Sequence, residues 1–340
     1  MKHFLLSLFA VVLSVSLVGC LGGKNKYTDY SFESFDTVTT IIGYEKSKDD
    51  FDAVCSEIKS LLTKYHRLFD IYNEYEGINN LCTINATENG KHKRVETDEE
   101  IIELIEFSKK IYDISDGRVN IAMGSVLSIW HDYRERGLEN PENASLPPID
   151  LLKEAKSHTD IKNVITDKKE KTVFLADSLM TLDVGAVAKG YAIEKVAEHL
   201  EKNGVSGYLI NVGGNVRAVG KKADKTLWTV GVENPDKTSS KAYVSQEVLR
   251  DEAIATSGSY QRFYTVGDKN YHHIIDDETL MPGENFLSVS VICDDAAMAD
   301  GLSTALFLKT FDEGIELLKN FSSARAVWVF PDGSIREWNG

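Results

Sequence analysis

The stretch Leu182-Asp183-Val184-Gly185-Ala186-Val187-Ala188-Lys189-Gly190-Tyr191 decides how this chain is read. A strand-like stretch over 172–175 and 179–182 precedes it. After it, Ile193, Val196, Ala197 and Leu200 recur at i, i+3, i+4 and i+7, which predicts a helix that Gly204 ends. A carboxylate at a strand end, small residues that let backbone come close to a ligand, and a lysine in the opening turn of a helix suit an anion site. The same residues also suit a plain strand-to-helix junction. Neither GxxxxGK[ST] nor the full GxGxxG is present, so the P-loop and the dinucleotide-binding fingerprint are both excluded.

Upstream of this run, Met1-Lys2-His3 and the apolar run 4–18 form a basic n-region and an h-region short for a membrane span. They lead to Leu17-Val18-Gly19-Cys20, which resembles a bacterial lipobox. Residues 1–19 are therefore expected to be a signal peptide, Cys20 the lipidated first residue of the mature protein, and 20–30 a flexible tether. The chain has 340 residues, 42% of them hydrophobic, enough for a large core. A formal charge of -15 without a basic cluster argues against nucleic acid as a partner. Apart from Cys20 there are Cys55, Cys82 and Cys293, with no CxxC, which points to isolated thiols.

In the body, residues 35–44 read as a β-branched strand, and Phe51, Val54, Cys55, Ile58, Leu61, Leu62 and Tyr65 as a helix. Thr97 and Glu100 suggest a capping box before the helix of Ile101, Leu104 and Ile105. Residues 117–125 lead into an apolar stretch ending at Trp130. Residues 135–148 form a polar, proline-bearing excursion. Strands are expected at 208–212 and 227–232, a polar loop at 255–260, and a closing hairpin over 328–335. His272-His273-Ile274-Ile275-Asp276 sets imidazoles beside a carboxylate, either as acid/base apparatus or as a strand-end hydrogen bond. After the alternating strand of Leu287, Val289, Val291 and Cys293, Asp294 or Asp295 caps a helix with Met298, Leu302, Ala305 and Leu306 on its apolar stripe. Asp300 and Thr304 share another face, as hard oxygen ligands for Mg²⁺ or simply as a solvent-facing side.

Together FDTVTTI, DGRVNIAMGSVLSIW, LDVGAVAKGYA, INVGGN, ATSGSY, HHIID and MADGLSTAL resemble the ApbE-type FAD:protein FMN transferases, over nearly everything from Phe35 onward. The resemblance implies one α+β catalytic domain over 31–340, with a mixed, largely antiparallel sheet packed by helices. It implies Mg²⁺-dependent transfer of the FMN half of FAD to a Ser or Thr hydroxyl of an acceptor protein, releasing AMP. The metal would be held by the Ala186 carbonyl, Asp300 and Thr304. Flavin contacts fall on Tyr72, Arg118, Val119, Asn120, Asp183, Lys189 and Ile275. His273 matches the histidine tied to catalysis, as general base or acceptor-orienting group, with Asp276 as its partner and Asp183 as the alternative base. Many members carry Met-Gly-Thr where this chain has Phe35-Asp36-Thr37, so the contacts of that strand stay open. Acceptors would resemble the flavin-carrying subunits of membrane redox complexes, met on the extracytoplasmic face of a bacterial membrane by the lipid-anchored enzyme. The alternatives are hydrolysis of FAD to FMN and AMP at the same site, and a lipoprotein that only binds flavin.

Overall fold

The structure, a computed structural model, describes residues 23–340. Its centre is an eight-stranded sheet whose strands lie side by side in chain order: Asn25–Ser31, Thr39–Glu45, Tyr208–Val212, Asn215–Val219, Ala253–Gly258, Ser288–Cys293, Arg325–Val329 and Ile335–Trp338. Every neighbouring pair is antiparallel. Tyr208, Ile210 and Val212 turn to one face at every second position, and helices cover that face. These are Lys48–Phe69, Ala188–Lys202 and Ala296–Leu308. On the other face the ribbon Trp228–Glu233 with Tyr243–Leu249 buries Trp228, Val232 and Leu249 against Val216, Ala218, Ile254 and Ile292. The fold is α+β, as the sequence implied.

The long insertion between the second and third strands carries the helices Glu99–Ile114, Gly124–Glu139 and Ile149–Lys156. It also holds a small sheet in which Thr172–Leu175 lies between Val95–Glu96 and Val164–Asp167. A second apolar cluster, of Met123, Val126, Trp130, Leu152, Tyr264, Ile275 and Leu280, fastens this insertion to the segment after His273.

Several expectations need correction. The strand Asn25–Ser31 lies inside the stretch read as tether, so ordered sheet starts before Ser31; its alternating exposure is that of an edge strand, which polar residues tolerate. Residues 1–22, including the signal peptide and Cys20, lie outside the described residues. Phe35 and Asp36 have φ of 58° and 49°, a turn that delays the strand to Thr39. Residues 179–182 pair with no strand. The capping box at Thr97 is not formed: the helix cap is Asp98 without a side-chain bond, and Thr97 Oγ1 donates to the Asn79 carbonyl instead. Ala253–Gly258 is a strand near the middle of the sheet and not a loop. Its small side chains allow the Ala296–Leu308 helix to lie directly on it.

Candidate active site

The central run, near the end of the insertion, follows the 172–175 strand and enters the Ala188–Lys202 helix. Asp183 N–H donates to the Ile121 carbonyl at 2.8 Å, and Gly124 N–H to that of Thr181 at 3.1 Å, so residues 117–124 are zipped to the run by backbone. Asp183 Oδ1 accepts from Gly185 N–H at 2.8 Å, an Asx turn that fixes the carboxylate at the helix entrance. Desolvation raises the Asp183 carboxyl above its usual range, partly offset by Gly185 N–H, His131 and Lys189.

Gly190 shows why this helix begins as it does. A Cβ there would lie 2.3 Å from the Ala296 carbonyl oxygen and 2.4 Å from Asp300 Cβ, so only glycine lets the two helices meet. Its N–H donates to Asp300 Oδ2 at 2.8 Å. Gly190 is the third residue of the helix, where an N–H has no partner within the helix itself, and the Asp300 carboxylate supplies one. Asp300 is only 5% exposed, so the reading of its helix side as solvent-facing is corrected. Thr304 stands one turn further along, its hydroxyl 3.0 Å from Ser257 Oγ, which in turn meets Ser303 Oγ at 2.9 Å. Asp295, not Asp294, caps this helix by accepting from Met298 N–H. Of the three expected metal positions, Asp300 meets the helix opened by the 182–191 run, and Thr304, one turn on, faces the Ala253–Gly258 strand. Among the described residues no group of three His, Cys, Asp or Glu side chains is placed to hold a metal.

His273 follows the strand Lys269–His272, whose partner is Phe263–Val266. Its imidazole lies at the cleft mouth, reached by water on one side and crowded by protein on the rest. Desolvation, then the charge of Arg262 and, less strongly, that of Lys189, push it down to about 3. The ring is therefore neutral at physiological pH. Nδ1–H donates to the Arg262 carbonyl at 3.3 Å, which assigns the tautomer and leaves Nε2 as an acceptor. Asp276 is not its partner, a correction to the sequence reading. The Asp276 carboxylate faces Arg118 at 3.0 Å and its own turn, because a carboxylate three residues on in a tight turn folds back onto backbone N–H groups.

Tyr72 is held out at 61% exposure by Asp70, whose Oδ1 accepts from Tyr72 N–H and Asn73 N–H. Its ring lies 5.4 Å from that of His131, whose Nδ1 is 3.0 Å from Arg134 Nη2. Desolvation and, next, Asp183 push the Tyr72 phenol up to about 12, while Arg134 and Arg262 act against this, so these groups share one cleft. The side chains of Arg118, Val119 and Asn120 are all committed to protein. Arg118 is ion-paired, Val119 is buried, and Asn120 Oδ1 accepts from Ala122 N–H while Nδ2 donates to the Thr159 carbonyl. Ile275 is buried beside Pro282 in the second apolar cluster. The sequence reading missed His131 and Arg134, whose i, i+3 spacing on a helix was the available signal, and gave no role to Arg262, Ser257 or Gly190. Cys55 and Cys293 are buried free thiols, and Cys82 is free and half-buried.

A neutral imidazole, cations without a carboxylate partner among the described residues and a buried acid form the set of an enzyme that acts on phosphorylated ligands. The profile of the ApbE family matches residues 35–328. This chain belongs to the ApbE family. An FAD:protein FMN transferase of Treponema pallidum is 29% identical over 94% of this chain and 89% of its own length. One of Klebsiella pneumoniae is 30% identical over 77% of this chain and 81% of its own. The ApbE protein of Thermotoga maritima superposes with a TM-score of 0.79 at 28% identity, covering 92% of this chain and 96% of that one. The flavin transferase ApbE of Vibrio cholerae shares the fold, with a TM-score of 0.74 at 20% identity over 93% and 97% of the two chains.

Proposed function

We propose that this protein transfers the FMN half of FAD to a Ser or Thr hydroxyl of an acceptor protein and releases AMP. The observation that supports this reading is the Gly190–Asp300 contact, which sets a buried carboxylate against the first turn of the helix that the 182–191 run opens. Ala186, Asp300 and Thr304 offer only hard oxygen donors with a single charge, a set that suits Mg²⁺ with its remaining ligands from water and phosphate. When bound, Mg²⁺ supplies neutralisation of pyrophosphate charge.

The chain's own residues do the rest. Lys189 Nζ touches only the Gly185 carbonyl, at 3.5 Å, and neither it nor Arg262 forms an ion pair among the described residues. Both cations are free to meet phosphate oxygens, one toward the transferred phosphoryl group and the other toward the departing AMP. His273 Nε2 takes the proton of the attacking hydroxyl while the Arg262 carbonyl holds Nδ1–H, so the ring keeps its orientation through the transfer. Tyr72, exposed and backed by His131, offers an aromatic face to the flavin ring. Asp183, its carboxyl raised by burial, stands beside the phosphate-facing helix turn as the second group able to hold a proton.

Incubation with FAD, Mg²⁺ and a candidate acceptor domain is expected to yield a fluorescent acceptor band in a denaturing gel and one AMP per label. AMP with no labelled acceptor across a panel of acceptor domains would favour hydrolysis to FMN instead, and flavin binding without AMP would leave a carrier. In the cell we place the enzyme on the extracytoplasmic face of a bacterial membrane, anchored through lipidated Cys20, where flavin-carrying subunits of membrane redox complexes are its acceptors. No described helix is long and apolar enough to cross a membrane. Cys20→Ala is expected to release an active protein from the membrane fraction; a variant that still sediments with membranes would refute the anchor.

A further inference from the structure

Three consecutive acids, Asp276, Asp277 and Glu278, follow the His273 segment, and left alone they would repel one another. Asp276 Oδ1 accepts from Glu278 N–H at 2.9 Å and from Thr279 N–H at 2.8 Å, which winds them into one tight turn. The turn is closed at its root: Gly283 N–H donates to the Ile274 carbonyl, Asp276 N–H to that of Met281, and His272 Nε2–H to that of Gly283. Arg118 grips the other side. Its Nη1 lies 3.0 Å from Asp276 Oδ2 and 3.7 Å from Asp277 Oδ1, and its Nη2 lies 3.0 Å from Glu278 Oε1. Lys156 holds the outer oxygen of Asp277 at 3.0 Å. The Arg118 side chain is 15% exposed, and the clasp uses both of its terminal nitrogens.

Arg118 belongs to the same 117–124 segment whose backbone is zipped to the central run at Asp183 and Thr181. One side chain therefore couples the part of the cleft that carries Asp183 and Lys189 to the part that carries His273. We infer that Arg118 is a positioning residue for the transfer: its guanidinium clasps the acidic turn and so fixes where His273 stands relative to the phosphate-facing helix turn. On the reading that His273 handles the acceptor proton, Arg118 acts on the rate of transfer through the histidine, and its guanidinium is not a flavin contact. The fork is required, because a lysine has one point of charge and can satisfy one acid of the turn at a time.

The test compares the full-length protein with Arg118→Ala, Arg118→Lys and Glu278→Gln in three measurements. These are the FAD dissociation constant with Mg²⁺ present, kcat for transfer at saturating FAD, and the His273 imidazole titration by NMR. Arg118→Ala is expected to lower kcat by about tenfold or more while FAD affinity stays within about threefold, with Arg118→Lys between it and the parent. The His273 titration is expected to rise toward the ordinary imidazole range as the turn loosens. Weakened FAD binding with kcat retained would overturn the inference in favour of a direct flavin contact, and so would an Arg118→Ala variant unchanged in all three measurements. If Arg118→Ala does not fold, Arg118→Lys and Glu278→Gln each leave part of the clasp and must show the same split. Absence of transfer by the parent protein would sink the transferase reading, whereas the His273 titration across the variants still decides the clasp.

Discussion

Lys189 and Glu194 lie little more than one turn apart on the same helix, yet their surroundings are opposite. Glu194 is 8% exposed, and its Oε2 accepts from Arg217 Nε at 3.1 Å and from Ala296 N–H at 2.6 Å. Arg217, 4% exposed, has its remaining contacts in Glu201 and the Ala218 carbonyl. That network joins two helices and the Asn215–Val219 strand with every charge answered. Around His273, Lys189 and Arg262 have no carboxylate within ion-pair distance among the described residues, in a chain whose formal charge is -15. A net acidic protein does not leave basic groups unmatched by shortage of acid. Charge that is paired internally holds the fold, and charge left open waits for an anion.

The contrast can be broken first on the scaffold side. Glu194→Ala strips Arg217 of its buried partner, leaving only the more exposed Glu201, and leaves the Ala296 N–H without an acceptor, which is expected to cost about 3–5 kcal/mol of stability. A urea melt that overlays the parent's would show that the pair is not what joins the helices. Asp300→Ala comes next: transfer should fall by about a hundredfold or more, and FAD binding should lose its Mg²⁺ dependence. Thr304→Ala removes an uncharged donor and should do less. FAD titrated with and without Mg²⁺ checks both, and equal affinities in Asp300→Ala would dismantle the metal reading.

His273→Ala sharpens the comparison, since on the proposed reading it removes a proton-handling group and not an FAD contact. It is expected to lower kcat by about a hundredfold while Mg²⁺-dependent FAD affinity survives. The smallest effect concerns pH. Because the imidazole is pushed down to about 3, it stays an unprotonated base well below the ordinary imidazole value. The acid limb of kcat/KM should accordingly lie below pH about 6.5. Arg262→Gln removes one of the charges that disfavour protonation, so that limb should move upward, by less than about one pH unit. A downward shift, or none, would mean that the guanidinium does not face the ring.

Much of the fold could be read from residue spacing. The Lys48–Phe69 helix repeats its apolar positions over its length, and Ser288–Cys293 follows an alternating pattern into the capped Ala296–Leu308 helix. What escaped reading had no local signature. Ala253–Gly258 looks like a loop because its side chains are small, and they are small because a helix lies on them. Asn25–Ser31 looks like a tether because an edge strand needs no apolar face of its own. At the site, the motifs marked Asp183, Lys189, His273, Asp300 and Thr304 as candidates. The Arg118–Asp276 pair, separated by 158 positions in the chain, could not be inferred from either residue's neighbours, so Asp276 was assigned to the nearer histidine.

The strands of the main sheet lie in the order in which they are made, but the functional cleft does not share that sequential order. Gly190 meets Asp300 across 110 residues, and Ser257 meets Thr304 across 47. A growing chain can pair its first strands, yet it has no complete phosphate cleft until its last third has emerged. Closing such distant contacts is entropically slow, so the emergence of activity should lag behind the formation of sheet during refolding. A truncated or prematurely terminated chain would bind no substrate, and newly made protein would stay catalytically silent until it is whole.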